Sequence, residues 1–203
     1  PVVWIVLLVV LLMAVIVGAI GAVIGSGGAA NSAEDYTYQA QVSEQTESYR
    51  DMVVDYCEKY GIDDYVDLCL AVIEQESGGN PPDVMQTEQS YYNVNPPIDT
   101  AEESIDCGTH ELSDCLTKAK SKSPNDIKGI SLALQGYNFG SGYIDWALKN
   151  YGCYSKENAE IFSKKMCVEL GYDSYGDVEY VPHVLRYYIA NPETTVTNES
   201  ADS

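Results

Sequence analysis

Residues 64–77 read DYVDLCLAVIEQES, and Gly78-Gly79 follow at once. Cys69, Val72 and Ile73 recur at helical spacing, so the stretch predicts an amphipathic helix that the glycines stop. At about 100° per residue, Glu76 falls on the apolar stripe, one turn beyond Val72 and Ile73, while Glu74 points to the opposite side. Of two neighbouring carboxylates, only Glu76 is aimed at the interior. A carboxyl partly withdrawn from water there has a raised pKa and keeps its proton near neutrality, as a general acid must. The plainer reading is a solvated acid at a frayed helix end. Negative charge is disfavoured at a helix C-terminus, so the placement carries a cost that calls for a reason.

Working outward, further helices are expected. Ser48 to Tyr60 carries Tyr49, Met52, Val53 and Tyr56 at helical spacing, and Gly61 stops it. Residues 80–97 hold two Pro-Pro pairs and several Tyr and Asn, and read as a loop. Thr100 and Glu103 form a capping box for a helix running to Lys120. Others are expected from Ser123-Pro124 to Tyr137, over 142–150, from Ser155 to Leu170 and over 178–190. No stretch alternates as a strand would, so an all-α domain over residues 47–190 is expected.

Residues 1–24 carry no charge and match the ~20 residues that cross a bilayer as a helix. The run is longer than the h-region of a cleaved signal, so residues 1–25 are expected to be a retained transmembrane anchor. The chain opens on Pro and has no basic flank before this run, so it is expected to continue upstream. Residues 26–46 are small, polar and acidic and read as a flexible linker. Residues 191–203 have the same character and are expected to lead to a further domain. The implied location is a single-pass protein of the cell membrane with its domain outside.

The chain has 203 residues, with 11 Lys and Arg against 31 Asp and Glu, a formal net charge of -20. Phosphate-binding surfaces need clustered cations, so nucleic acid is not an expected partner. His110 and His183 are the only histidines and have no ligand-spaced partner, so no metal and no cofactor are expected. Tyr91, Tyr92, Tyr137 and Tyr143, with Trp146, fall in segments expected around Glu76, where flat amphipathic rings suit a ligand that stacks and hydrogen-bonds, although core packing is an equal use for each.

The string Glu76-Ser77-Gly78-Gly79, then Met85-Gln86, then Leu134-Gln135-Gly136-Tyr137-Asn138-Phe139-Gly140 resembles the lysozyme-like family. Soluble lytic transglycosylases and goose-type lysozymes share such a set. The resemblance is closer to the N-terminal muramidase domain of cell-wall hydrolases of Gram-positive conjugative elements. It spans about residues 45–190 and includes Tyr175-Gly176-Asp177 and the tail from Tyr180 to Tyr188. It implies a helical fold with a substrate groove and cleavage of the peptidoglycan bond between N-acetylmuramic acid and N-acetylglucosamine. It also implies Glu76 as catalytic acid, Gln86 in the groove, and Tyr137 and Asn138 against the sugar; of the other aromatics, Tyr92 and Tyr143 are expected from their ring chemistry as further substrate contacts. Partners implied are peptidoglycan, the membrane and conjugation or type IV secretion proteins. The family's second acid would fall at Gln89, and the carboxylate present is Glu88, with Asp99 and Glu102 as alternatives. Hydrolysis normally needs two carboxylates, whereas lytic transglycosylases manage with one. The alternatives are therefore a transglycosylase, or a wall-binding module that does not cleave.

Six cysteines, at 57, 69, 107, 115, 153 and 167, contain no CxxC pair and are expected to form disulfides outside the membrane, buried thiols being the alternative. Cys107 and Cys115 on one helix would lie ~12 Å apart, too far to bridge. Cys153 and Cys167 are further still. Cys57 and Cys69 flank the Gly61 turn and can pair. The other four would then tie the 101–120 helix to the 153–167 segment.

Overall fold

The computed structural model describes residues 37–94 and 96–191. The expected anchor at 1–25, and the flanking stretches 26–36 and 192–203, lie outside the described residues. No helix among the described residues is long and apolar enough to cross a membrane.

In chain order the elements are β1 (Thr37–Ala40), α1 (Glu44–Glu47), α2 (Arg50–Tyr60), a 3₁₀ turn (Asp63–Tyr65) and α3 (Val66–Ser77). Then come α4 (Ala101–Ala119), α5 (Ile127–Phe139), α6 (Gly142–Asn150), α7 (Lys156–Leu170), α8 (Tyr180–Leu185) and β2 (Tyr188–Asn191). The expected all-α class needs one correction. β1 and β2 pair antiparallel, from Thr37 opposite Asn191 to Ala40 opposite Tyr188, so the two ends of the domain close on each other. Tyr38 and Tyr188 stack across the pair at 5.1 Å. A two-strand ribbon of four residues per strand leaves too short an alternation to read in sequence. Residues 37–46 therefore belong to the domain rather than to a linker, and 188–191 form a strand rather than the end of a helix.

α3 is the centre of the molecule. Every residue from Leu68 to Ile73 is fully buried, so the helix is apolar all round over that stretch rather than striped, as a helix enclosed by neighbours should be. α2, α8, β1 and β2 pack against it. Gly78 caps it in the left-handed conformation (φ 62°), donating to the Glu74 carbonyl, a geometry that glycine adopts without the Cβ penalty.

α4 is capped by Thr100 and Glu103 as expected, with both halves of the capping box made. It is continuous through Gly108. A Cβ there would lie 2.6 Å from Met85 Sδ and 2.7 Å from Met85 Cβ. Gly108 is thus a seat for Met85 and not a helix break. α5 starts later than expected, at Ile127, because Asp126 and not Ser123 supplies the cap, accepting from the Gly129 amide at 3.1 Å.

All six cysteines are free thiols. Cys57 and Cys69 meet in the core with sulfurs 3.5 Å apart, in contact but unbonded. The expected ties between the 101–120 helix and the 153–167 segment are corrected. α4 packs chiefly on α2, α5 and α6 rather than on α7, and Cys115 is buried on the α5 side, near Gly136.

Candidate active site

Glu76 stands in the last turn of α3, half-buried. Tyr180 of α8 donates its hydroxyl to Glu76 Oε1 at 2.5 Å. Burial raises the Glu76 pKa to about 7; the Tyr180 hydrogen bond works against that rise, and the negative charges of Asp83 and Asp177 add to it. A carboxyl with a pKa near 7 is partly protonated at neutrality, so it can donate a proton and take one back.

The aromatic side of the site is built from α5 and α8. Tyr137 stacks on Tyr180 with ring centroids 6.5 Å apart and planes 19° from parallel. The Tyr137 hydroxyl donates to the Met85 carbonyl at 3.0 Å, which pins the turn containing Gln86. Asn138 Oδ1 accepts from the Asp177 amide at 2.7 Å. Asp177 in turn accepts from the Glu179 amide at 2.8 Å and pairs with His183 Nδ1 at 2.6 Å. These bonds hold the start of α8, and with it Tyr180, over Glu76. Ser77 is structural: its hydroxyl donates to the Val84 carbonyl at 2.8 Å and accepts from the Gly79 amide at 3.1 Å.

Beside Glu76 runs a groove of about 490 Å³. Asp83, Gln86, Glu88, Glu111, Tyr137 and Asn138 are among its lining residues. Glu76 is next to this wall rather than in it, within electrostatic reach of Asp83 and Tyr137. Gln86 is exposed in the groove with φ 53°, its amide turned back to the Asp83 carbonyl at 2.9 Å.

The structure brings Glu76, Gln86, Glu88, Tyr137 and Asn138 together and separates two other expected contacts from them. Tyr143 is 0 % exposed, donates to Asn158, and packs with Phe139, Trp146 and Phe162 in an aromatic core. It cannot touch a substrate, and Trp146 is part of the same cluster. Tyr92 lies off the groove beside Glu76, stacked on His110 at 3.7 Å and donating to Asp114.

Two carboxylates of the groove were not singled out from the sequence. Asp83 accepts from the Thr87 amide at 2.7 Å, the Thr87 hydroxyl at 3.1 Å, the Ser104 hydroxyl at 2.7 Å and the Glu88 amide at 2.9 Å. The Asp-x-x-x-Thr spacing at 83–87 is a local side-chain-to-backbone signal that could have marked it. Glu111 faces the groove from α4, and burial pushes its pKa up despite a hydrogen bond with Ser90. Its only sequence signal is its helical spacing between Cys107 and Cys115.

Glu74, as expected, is turned away from Glu76, but it is not idle. It accepts from Thr46 Oγ1 at 2.5 Å and from Ser43 Oγ at 2.9 Å and N at 3.2 Å. Burial works to raise its pKa, but these bonds outweigh it and the carboxyl sits below its ordinary value. A depressed carboxylate contributes stability above its unfolded pKa and loses it as pH falls. Glu74→Gln should therefore cost about 1 kcal/mol near neutrality, with the difference from the parent shrinking in acid. Chemical unfolding at several pH values checks this.

The site is thus a carboxyl acid at the edge of a groove lined by tyrosine, amides and further carboxylates, carried by a mostly helical domain. The lysozyme-like family model matches residues 43–197, and the chain belongs to that family. It is 36% identical over 146 residues to the bifunctional muramidase/DL-endopeptidase CwlT of Bacillus subtilis (strain 168), covering 72% of this chain and 42% of that protein. It is 32% identical over 120 residues to a pneumococcal vaccine antigen A homolog of Streptococcus pyogenes serotype M6, covering 59% of this chain and 58% of the relative. A crystal structure of a protein similar to lipoproteins of the NLP/P60 family, from Staphylococcus aureus, superimposes with a TM-score of 0.63 at 30% identity. That match covers 73% of this chain and 54% of the other. The chain thus spans roughly two-fifths to three-fifths of the length of these relatives.

Proposed function

We propose that this domain is a peptidoglycan glycosidase that cleaves the β-1,4 bond between N-acetylmuramic acid and N-acetylglucosamine, with Glu76 as its acid. The observation that carries the reading is the Glu76 carboxyl, raised to about 7 and held by Tyr180 at the edge of the groove. The muramidase named among the relatives supports the substrate class. Protonated Glu76 gives its proton to the glycosidic oxygen as the C–O bond breaks, and the leaving sugar departs with a neutral hydroxyl. Both Asp83 and Glu88 line the groove, and Asp83 is the better-supported second carboxylate because its charge acts on Glu76. It would take the proton of the attacking water or stabilise positive charge at the anomeric carbon. Gln86, Tyr137 and Asn138 would hold the sugar.

One observation favours a second reading. Four donors from its own loop and from α4 occupy Asp83, which limits its freedom as a base. A lytic transglycosylase needs only Glu76, with the sugar's own hydroxyl closing onto the anomeric carbon. The masses of the muropeptides released from purified wall separate the two. A hydrolase leaves a reducing end, and a transglycosylase leaves a 1,6-anhydro product lighter by one water. We expect the reducing end. The apolar run at 1–24 supports a membrane-anchored, extracytoplasmic setting, and the resemblance to hydrolases of conjugative elements supports local wall opening for a conjugation machine.

A further inference from the structure

The groove does not stop at Glu111. A second depression of about 240 Å³ is lined by Tyr91, Tyr92, Glu111, Asp114, Cys115 and Ser141. It shares Glu111 with the first, and the chain passes directly between them twice, from Ser90 to Tyr91 and from Gly140 to Ser141. The two therefore form one track, with Glu76 beside one part and two tyrosines at the other.

The tyrosine end is stiff. Tyr60, His110 and Tyr92 form a continuous stack, with ring centroids 4.2 Å and then 3.7 Å apart. Its outer members are tied down at their hydroxyls, Tyr60 to Asp106 and Tyr92 to Asp114. Tyr91 meets Tyr92 at 82° with centroids 5.5 Å apart, so the two rings make a corner. Tyr91 is 90% exposed. Most of its ring is in water, and burial in the fold does not explain an aromatic there.

We propose that this corner is a distal subsite for a neutral N-acetylhexosamine ring of the glycan, away from the bond that Glu76 breaks. The inference rests on the glycosidase reading above. A sugar's apolar face stacks on a flat ring, and its N-acetyl methyl suits a second ring at right angles. Ser141, Glu111 and Asp114 offer acceptors to sugar hydroxyls, and a charged acceptor makes a short, strong bond. The same carboxylates repel an anion. The N-acetylmuramic acid ring carries a lactyl group and its acidic peptide, so the corner selects the unsubstituted N-acetylglucosamine ring. Because the stack already fixes Tyr92, binding there immobilises little further side chain.

The test is a length series of N-acetylglucosamine oligomers, from the dimer to the hexamer. Each is titrated calorimetrically into the full chain carrying Glu76→Gln, so that no oligomer is consumed. Affinity should rise when the oligomer becomes long enough to reach the corner. Tyr91→Ala should remove that rise, about threefold to tenfold in dissociation constant, and leave the dimer unaffected. The exposure of Tyr91 keeps the fold out of the comparison. Tyr92→Phe, which keeps the ring but loses the tie to Asp114, should remove part of the rise. An undiminished rise in Tyr91→Ala overturns the subsite, and so does an equal loss for dimer and hexamer. A protein that cleaves wall without any Tyr91 dependence sinks the subsite alone. Tyr91-dependent binding with no cleavage by the parent sinks the glycosidase reading alone. A parent that binds no oligomer overturns the subsite, and the glycosidase reading then stands or falls on wall cleavage alone.

Discussion

Glu76→Gln should give a folded protein that no longer opens glycan strands and is more stable than its parent at about pH 8. The first effect is the loss of a transferable proton, which in general acid catalysis is worth about 10²–10⁴-fold. The second follows from linkage. The Glu76 pKa is raised from 4.5 to about 7 in the folded protein, by burial first and then by Asp83 and Asp177. The fold thus favours the protonated form. That contribution is complete below the unfolded pKa and is lost as pH rises through about 7. Each tenfold change in proton affinity between the folded and unfolded chain is worth ~1.4 kcal/mol, so the ionised carboxylate costs the parent about 3–4 kcal/mol on the alkaline side. Glutamine keeps an acceptor for Tyr180 and has no charge to bury, so it escapes that cost. In acid the two proteins should unfold alike. Urea unfolding across the pH range reads the stability difference, and turbidity loss of purified wall reads the activity. Wall clearing at the parental rate would show that Glu76 is not the acid. Equal stability at about pH 8 would show that its carboxyl is solvated after all.

The sign of the Glu76 effect is opposite to that of Glu74, only two residues away. That the two lie on different faces of α3 was legible from helical spacing, but the depression of Glu74 was not, because it comes from Ser43 and Thr46, about 30 residues away in sequence. The caps were legible too. Thr100 with Glu103, Ser155 and the glycines at 61 and 78 all end or begin helices where their chemistry says they should. What could not be read was set by contacts distant in sequence. β1 and β2 are each too short to show alternation and exist because their partner lies about 150 residues away. Tyr143 and Tyr92 looked alike as loop or helix aromatics, and only packing sends one to the core and the other to a stack on His110. Tyr180 was visible as part of a family string, but its bond to Glu76 joins residues 104 apart. Asp83 was hidden by its neighbourhood of prolines, which reads as loop and says nothing of where a carboxylate in it will face.

Asp83→Asn is the change that should decide how this site works. Asparagine can keep Oδ1 where Asp83 has it, accepting from the Thr87 amide, the Thr87 hydroxyl and the Ser104 hydroxyl. Its amide nitrogen then faces the Glu88 amide, which now donates to Oδ2 at 2.9 Å. Two donors point at each other, so one bond is lost and a polar group is left unpaired. The opposite rotamer sets the NH₂ group against the other three donors and is worse. The structural cost should be about 1–2 kcal/mol. Asp83→Ala removes both acceptor oxygens and leaves four donors without them, on Thr87, Ser104 and Glu88; Thr87 and Ser104 are 2% and 0% exposed, so it should cost more, about 3 kcal/mol. Both variants also remove the negative charge that helps to raise the Glu76 pKa, so the alkaline limb of the rate profile should move to lower pH. If Asp83 is the second carboxylate of a hydrolase, Asp83→Asn should lower turnover by at least about 100-fold, far more than its modest loss of stability explains. If Asp83 only shapes its loop, Asp83→Asn should keep turnover within a few-fold of the parent, and the released muropeptides should end in 1,6-anhydro sugars. That pair of results would move the domain to the single-acid mechanism, with Glu76 alone both giving and recovering the proton.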